Sequence, residues 1–258
     1  MNDNPETDSA RDVMEFLLNF STTLITSGAQ SSRTLRNISR FSTALGYTVH
    51  TIILPRTIIM TIEEKSEPRS TITEVRKIPH GALNFAVISR LRVLSWQACT
   101  NSLSLAECKR RYEEIKAAPR ISGLPLILIA SCGNAAFCQL FGGWYSIPIV
   151  FAGTFLGFSM RCILLSKHVP ALITFFVSAF VASFSTAVIA QYFNFTTNVA
   201  LTTSVLFLIP GIPLMTSIID IMDGHVLSGL ARFINASLLV MALTLGLVVT
   251  IVTLGIHL

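Results

Sequence analysis

Charge is almost missing from the second half of this sequence. Residues 121–258 hold only Arg161, Lys167, Asp220, Asp223 and Arg232, while the first 120 residues hold the other 28 Asp, Glu, Lys and Arg. Burying charge in hydrocarbon is costly, so this poverty excludes an ordinary solvated domain and points to a bilayer. Cysteine is scarce as well: Cys99, Cys108, Cys132, Cys138 and Cys162 form no Cys-x-x-Cys and have no His at ligand spacing. That pattern offers no metal site and fits reduced, buried thiols. The start, MNDNPETDSARD, lacks the basic and apolar regions of a cleavable signal peptide, so the first domain is expected in the cytosol. Lys109-Arg110-Arg111 is the one basic triplet, and Glu107, Glu113 and Glu114 surround it. It reads as a solvated helix face, and nucleic acid is not an expected partner despite a net charge of +5. Catalytic signatures are missing too: there is no Gly-x-Ser-x-Gly, P-loop or Gly-x-Gly-x-x-Gly, and His50 and His80 have no nucleophile motif beside them. No catalytic residue and no cofactor is assigned.

The first 120 residues have the composition of a globular domain. Ser9-Ala10-Arg11-Asp12 has a capping-box pattern, and Val13, Phe16, Leu17, Phe20 and Leu24 then repeat at helical spacing as far as Ser27-Gly28. A second helix carries Leu35, Ile38, Phe41 and Leu45 on one side and ends at Gly46. Its start, Ser31, Ser32, Arg33 and Arg36, reads as a solvated first turn or as a place where free N–H groups meet an anion. Tyr47–Leu54, Thr57–Glu63 and Thr71–Arg76 are β-branched runs separated by Pro55-Arg56 and by Lys65-Ser66-Glu67-Pro68, which predicts an antiparallel meander. Helices over Leu83–Thr100 and Leu105–Lys116 follow, the latter opened by Ser104 and Glu107. The expected fold is therefore an α/β cytosolic domain over residues 1–120, followed by an all-α membrane domain over 121–258.

Five segments have about the 20 apolar residues a bilayer demands: roughly 121–141, 144–165, 170–190, 197–219 and 233–256. With the first domain inside, Arg161, Lys167 and the Asp220–Arg232 loop all fall on the cytoplasmic side, as the positive-inside rule requires. Small residues recur in the first three spans, among them Gly133, Gly153, Gly157, Ala179 and Ala182, and permit close helix approach. Asn134 lies deep enough to need a partner or a cavity. Pro210-Gly211-Ile212-Pro213 removes two backbone donors and predicts a broken helix, either a plain kink or one of the discontinuous helices that build transporter sites. Asp220 and Asp223 follow it, suited to hold a proton or cation or to pair with Arg232.

In order along the chain, Gly28-Ala29-x-x-Ser32-Arg33, Ala44-Leu45-Gly46-Tyr47, three strands, two helices, Gly142-Gly143 and Pro210-Gly211-x-Pro213…Asp220…Gly224…Gly229…Arg232 resemble the threonine/serine exporter family. The resemblance implies a subunit of a secondary exporter for a small polar metabolite, threonine or serine or a dicarboxylate such as succinate, coupled to protons or membrane potential. It implies the larger subunit of the family's split form, in a bacterial inner membrane. Its partner would be a small, purely membrane, YjjB-like subunit, in a homo- or hetero-oligomer. Pro210, Gly211, Pro213, Asp220, Asp223 and Arg232 are then the transport or coupling candidates, and Gly28, Arg33, Asn134, Gly142 and Gly143 candidates for the substrate path or gate. Trp144-Tyr145-Ser146 stands where family members often carry an acidic residue, which removes a coupling role there. Two other classes stay open: a membrane-anchored hydrolase and a non-transporting sensor or scaffold. An aspartyl protease is disfavoured because Asp220 and Asp223 lie on one segment.

Overall fold

The computed structural model describes residues 10–64, 71–79, 81, 83–119, 121–141, 144, 146–193 and 197–256. Ser9, the 65–68 linker, His80, Gly142, Gly143 and Tyr145 lie outside the described residues. Two compact units emerge: Met1–Pro119 together with Ile212–Phe233, and Arg120–Gly211 together with Ile234–Leu258.

In the first unit, α1 (Ala10–Thr26) and α2 (Ser31–Ala44) precede strands β1 (Tyr47–Leu54), β2 (Thr57–Glu64) and β3 (Thr71–Lys77). The strands form one antiparallel sheet in the order β1-β2-β3, with Leu54 opposite Thr57 across the two-residue Pro55-Arg56 turn. Ile58, Met60 and Ile62 alternate toward the core and are fully buried, the period-two pattern of a half-buried strand. Helices α3 (Phe85–Thr100) and α4 (Leu105–Ala117) complete the N-terminal part. α3 begins at Phe85, two residues later than its apolar run suggests, because the Asn84 side chain accepts the Val87 N–H and caps it. Phe16, Phe20, Phe41 and Tyr112 meet mostly edge to face, with Phe20 and Phe41 centroids 4.8 Å apart, and tie α1, α2 and α4 into one core. On α4, Glu107 pairs with Arg110 and Arg111, whose guanidinium hydrogen bonds hold its carboxyl down at about 2. Arg110 also reaches Glu114, so two of the three cations in the basic triplet are spent on their own helix.

The second unit contains α5 (Leu124–Cys138), α6 (Ser146–Ser166), α7 (Ala171–Tyr192) and α8 (Thr197–Ser204), a 3-10 turn over Leu206–Leu208, and the latter part of α10 (Val226–Leu254). Small residues set its packing. A side chain on Gly153 or Gly157 of α6 would strike Ala182 of α7, and one on Gly246 of α10 would meet the Phe176 backbone of α7. Asn134 donates to Thr154 Oγ1 at 2.7 Å and to the Thr203 carbonyl at 2.9 Å, so it has the interhelical partners its depth demands. Cys108 and Cys138 are buried, Cys162 is intermediate and Cys99 and Cys132 are exposed, so burial holds for only part of the set.

The architecture corrects the expected fold class. The described residues form ten α-helices and one small three-stranded sheet, a predominantly helical chain rather than an α/β domain followed by five spans. Among the described residues, only α6, α7 and α10 are long and apolar enough to cross a membrane, with a fourth span if the bent pair Val199–Leu208 and Gly211–Met222 is taken as one. The expected span at 121–141 yields a 15-residue helix, because Gly123 takes φ +68°, Pro125 sits in its first turn and the helix ends at Cys138. At about 1.5 Å per residue that is about 22 Å, short of a hydrocarbon core about 30 Å thick. The expected span at 197–219 is broken at Ile209-Pro210 and resumes as α9 (Gly211–Met222). The expected Asp220–Arg232 loop is also largely helical, since α9 reaches Met222 and α10 begins at Val226.

Candidate functional site

The helix break is built without a large loss of backbone hydrogen bonds. Ile209 precedes a proline and adopts an extended ψ of 121°, as the ring's clash with the preceding residue dictates. The Leu206 carbonyl, deprived of a donor at Pro210, takes the Ile209 N–H at 3.0 Å instead. Pro213 falls in the first turn of α9, where N–H groups have no intrahelical acceptor, so it removes nothing. Gly211 has open space around it and an ordinary φ, so neither crowding nor a left-handed backbone requires glycine there. The break thus belongs to Pro210.

Downstream, α9 ends in a Schellman turn. Gly224 takes φ +87°, its N–H bonds to the Ile221 carbonyl, and the His225 N–H bonds to the Asp220 carbonyl at 2.8 Å. The chain reverses into α10, and Gly229 lets the two helices touch, since a Cβ there would overlap Ile221 and the Ser217 carbonyl. Ser228 is buried and donates at 2.9 Å to the Ile53 carbonyl of β1, an edge strand of the sheet. This helical hairpin lies in the same compact unit as α1–α4.

On that hairpin Asp220 is completely buried. Its Oδ1 accepts the Ser31 backbone N–H at 2.8 Å, and its Oδ2 accepts Ser31 Oγ at 3.1 Å and Arg232 Nη1 at 3.0 Å. Arg232 also donates to the Ala29 carbonyl at 3.1 Å. One turn from Asp220, Asp223 accepts a short hydrogen bond from Ser32 Oγ. The N-terminus of α2 explains the arrangement. Gln30 stands at its N-cap without a side-chain cap bond, and its first turn has no acidic residue. The free N–H groups and the positive end of the helix dipole therefore receive their carboxylate from a residue 189 positions away. The first turn of α2 is therefore only partly solvated: Ser31 is fully buried, while Arg33 in the same turn is exposed.

Gly28 sets the approach. With φ +95° it ends α1 in another Schellman turn, the Ala29 N–H bonding to Leu24 and the Gly28 N–H to Ile25, and a side chain there would overlap Leu83. The structure thus brings together Gly28, Asp220, Asp223 and Arg232 with Ser31 and Ser32, which the sequence offered as a place for an anion, and with the Ala29 carbonyl, which it did not. Arg33 faces a cavity beside this contact instead. Asn134 belongs to the second unit, along with Pro210 and Gly211, and Pro213 lies at the start of the hairpin. Gly142 and Gly143 are outside the described residues.

Among the described residues, three helices long and apolar enough to cross a bilayer mark the chain as a membrane protein. The chain belongs to the ThrE family, described as "Putative threonine/serine exporter", which it matches over residues 15–254. It is 29% identical over 238 residues to a Klebsiella aerogenes protein named "Probable succinate transporter subunit YjjP", covering 91% of each chain. It is 28% identical over 257 residues to an Escherichia coli K12 protein of the same name, covering 98% of each. No solved structure matches the chain.

Proposed function

We propose that this chain is one subunit of a secondary exporter that moves a small polar metabolite out of the cytoplasm, either threonine or serine or a dicarboxylate such as succinate. Residues 1–120 would face the cytosol of a bacterium, with the apolar helices in the inner membrane and a small YjjB-like subunit as partner. Family membership and the names of its relatives support the export of such a metabolite. The observation that carries a mechanism is the wholly buried Asp220 carboxylate, shared between the start of α2 and Arg232. Its acceptor capacity is largely committed to the protein, which suits a gating or coupling role better than direct substrate contact. Release of this carboxylate from Ser31, by protonation or by movement of α9, would uncouple the hairpin from α2. Coupling to protons or to membrane potential is part of this proposal, and Asp223 on Ser32 is its second carboxylate.

Asp220→Asn tests the proposal. It keeps the size of the side chain and removes the charge that faces Arg232. In cells coexpressing the small subunit, efflux of threonine, serine and succinate, measured separately, is expected to be lost while the chain still inserts into the membrane. Wild-type efflux in that variant would overturn the gating role.

A further inference from the structure

A cavity of about 450 Å³ opens in the first unit between α2 and α3. Ligand pockets typically run from about 300 to 1,000 Å³. Arg33, Arg36 and Arg40 line it from α2, at positions that share one helix face, and Arg92 lines it from α3. Along α2 the three arginines span about 10 Å. Neither helix contains an Asp or Glu over its length, and no acidic side chain lines the cavity among the described residues. Among the described residues, Arg33, Arg36 and Arg92 form no ion pair.

Four guanidinium groups around one hollow repel each other, and no carboxylate among the described lining residues neutralises them. The site is nevertheless ordered. Arg40 donates to Asn37 Oδ1 at 2.8 Å and lies 4.0 Å over the Trp96 ring, while the buried Ser95 hydroxyl donates to the same Asn37 oxygen. Such a network fixes one guanidinium before any ligand arrives. Ser89 adds a hydroxyl, and Phe85, a large apolar residue left half exposed, adds a flat wall.

We infer that this cavity binds a small molecule carrying two or more negative charges in carboxylate or phosphate groups. The planar fork of arginine matches both groups through paired hydrogen bonds. A zwitterionic amino acid is a poor fit, because its ammonium would face four cations. The site is distinct from the Asp220 contact and does not depend on the transport reading.

The test is binding to the purified full-length chain in detergent, by calorimetry and by thermal shift, with succinate, pyrophosphate and L-threonine as probes. Succinate or pyrophosphate is expected to bind and raise the melting temperature, and threonine is not. Affinity should fall steeply as salt rises from about 0.01 M to 1 M, which shortens the screening length about tenfold. Arg36→Gln and Arg92→Gln are each expected to weaken binding about tenfold or more, as the loss of a hydrogen bond to a charged group does. Both side chains are exposed, so the unliganded variants should melt like the wild type, which separates lost binding from misfolding. Binding of succinate alone or of pyrophosphate alone would assign the anion to the carboxylate or the phosphate class. Three results would overturn the inference: no binding of either dianion, equal binding of threonine, or unchanged affinity in the R36Q/R92Q double variant. Because no flux is measured, these results leave the exporter proposal untouched, and failed efflux leaves this one untouched.

Discussion

Asp220 shows what a single buried charge requires. Its solvation is replaced by a backbone N–H, a hydroxyl and a guanidinium, all within about hydrogen-bond reach. Removing one partner of such a pair strands the other and costs about 3–5 kcal/mol, whereas replacing both with apolar groups is far cheaper. Asp220→Ala is therefore expected to lower the stability of the detergent-solubilised chain by about that much. Asp220→Ala combined with Arg232→Met should recover a large part of the loss in the same thermal unfolding measurement. A double variant no more stable than Asp220→Ala would show that Arg232 does not depend on this carboxylate. At this scale the residue types were legible beforehand. Asp220, Asp223 and Arg232 stand out in a charge-poor stretch, and Ser31 and Ser32 mark a helix start that could meet an anion, but nothing local marks which carboxylate supplies it.

At the scale of elements, apolar periodicity gave α1, α2, α4 and the three strands to within a residue or two, since each has one buried face and a terminating Gly, Pro or cap. It failed where apolar content was uniform. Residues 121–141 and 197–219 are apolar enough on average for a span, so hydropathy could not see that Gly123 and Pro125 delay α5, whereas the break at Pro210 was legible from the proline itself. The segment between Asp220 and Arg232 read as a loop because charges and glycines interrupt its apolar run, yet the Schellman turn at Gly224 needs only three residues between helices. The resulting hairpin depends on Gly229. Gly229→Val would push a branched side chain into the Ser217 carbonyl and Ile221, and overpacking of this kind costs about 1–3 kcal/mol. It is expected to lower the melting temperature and to impair efflux, while Gly211→Ala, with open space around it, should leave both near wild type. Equal effects of the two substitutions would refute this account of the hairpin.

At the largest scale, the three long apolar helices among the described residues, or four with the bent pair, make a smaller membrane portion than five spans would. Many apolar side chains of these helices remain exposed, including Leu156, Ile163, Leu172, Met241 and Val252, as lipid or a partner helix would require. A chain that works as a subunit should therefore need its partner for transport. Efflux is expected only when this chain and the small membrane subunit are coexpressed, and full efflux from this chain alone would remove the need for a second subunit.

By itself the sequence determined that a charged N-terminal domain precedes an apolar region, that a broken helix leads to two acids and an arginine, and that the chain resembles the threonine/serine exporters. Those properties are set by composition, spacing and local backbone rules, which act over a few residues. Only the tertiary structure decided that Asp220 completes the N-terminus of α2, that Arg232 closes the same contact, and that four arginines converge on one cavity. Each of these depends on groups tens to nearly two hundred residues apart, whose free N–H groups and charges must find partners wherever the fold excludes water.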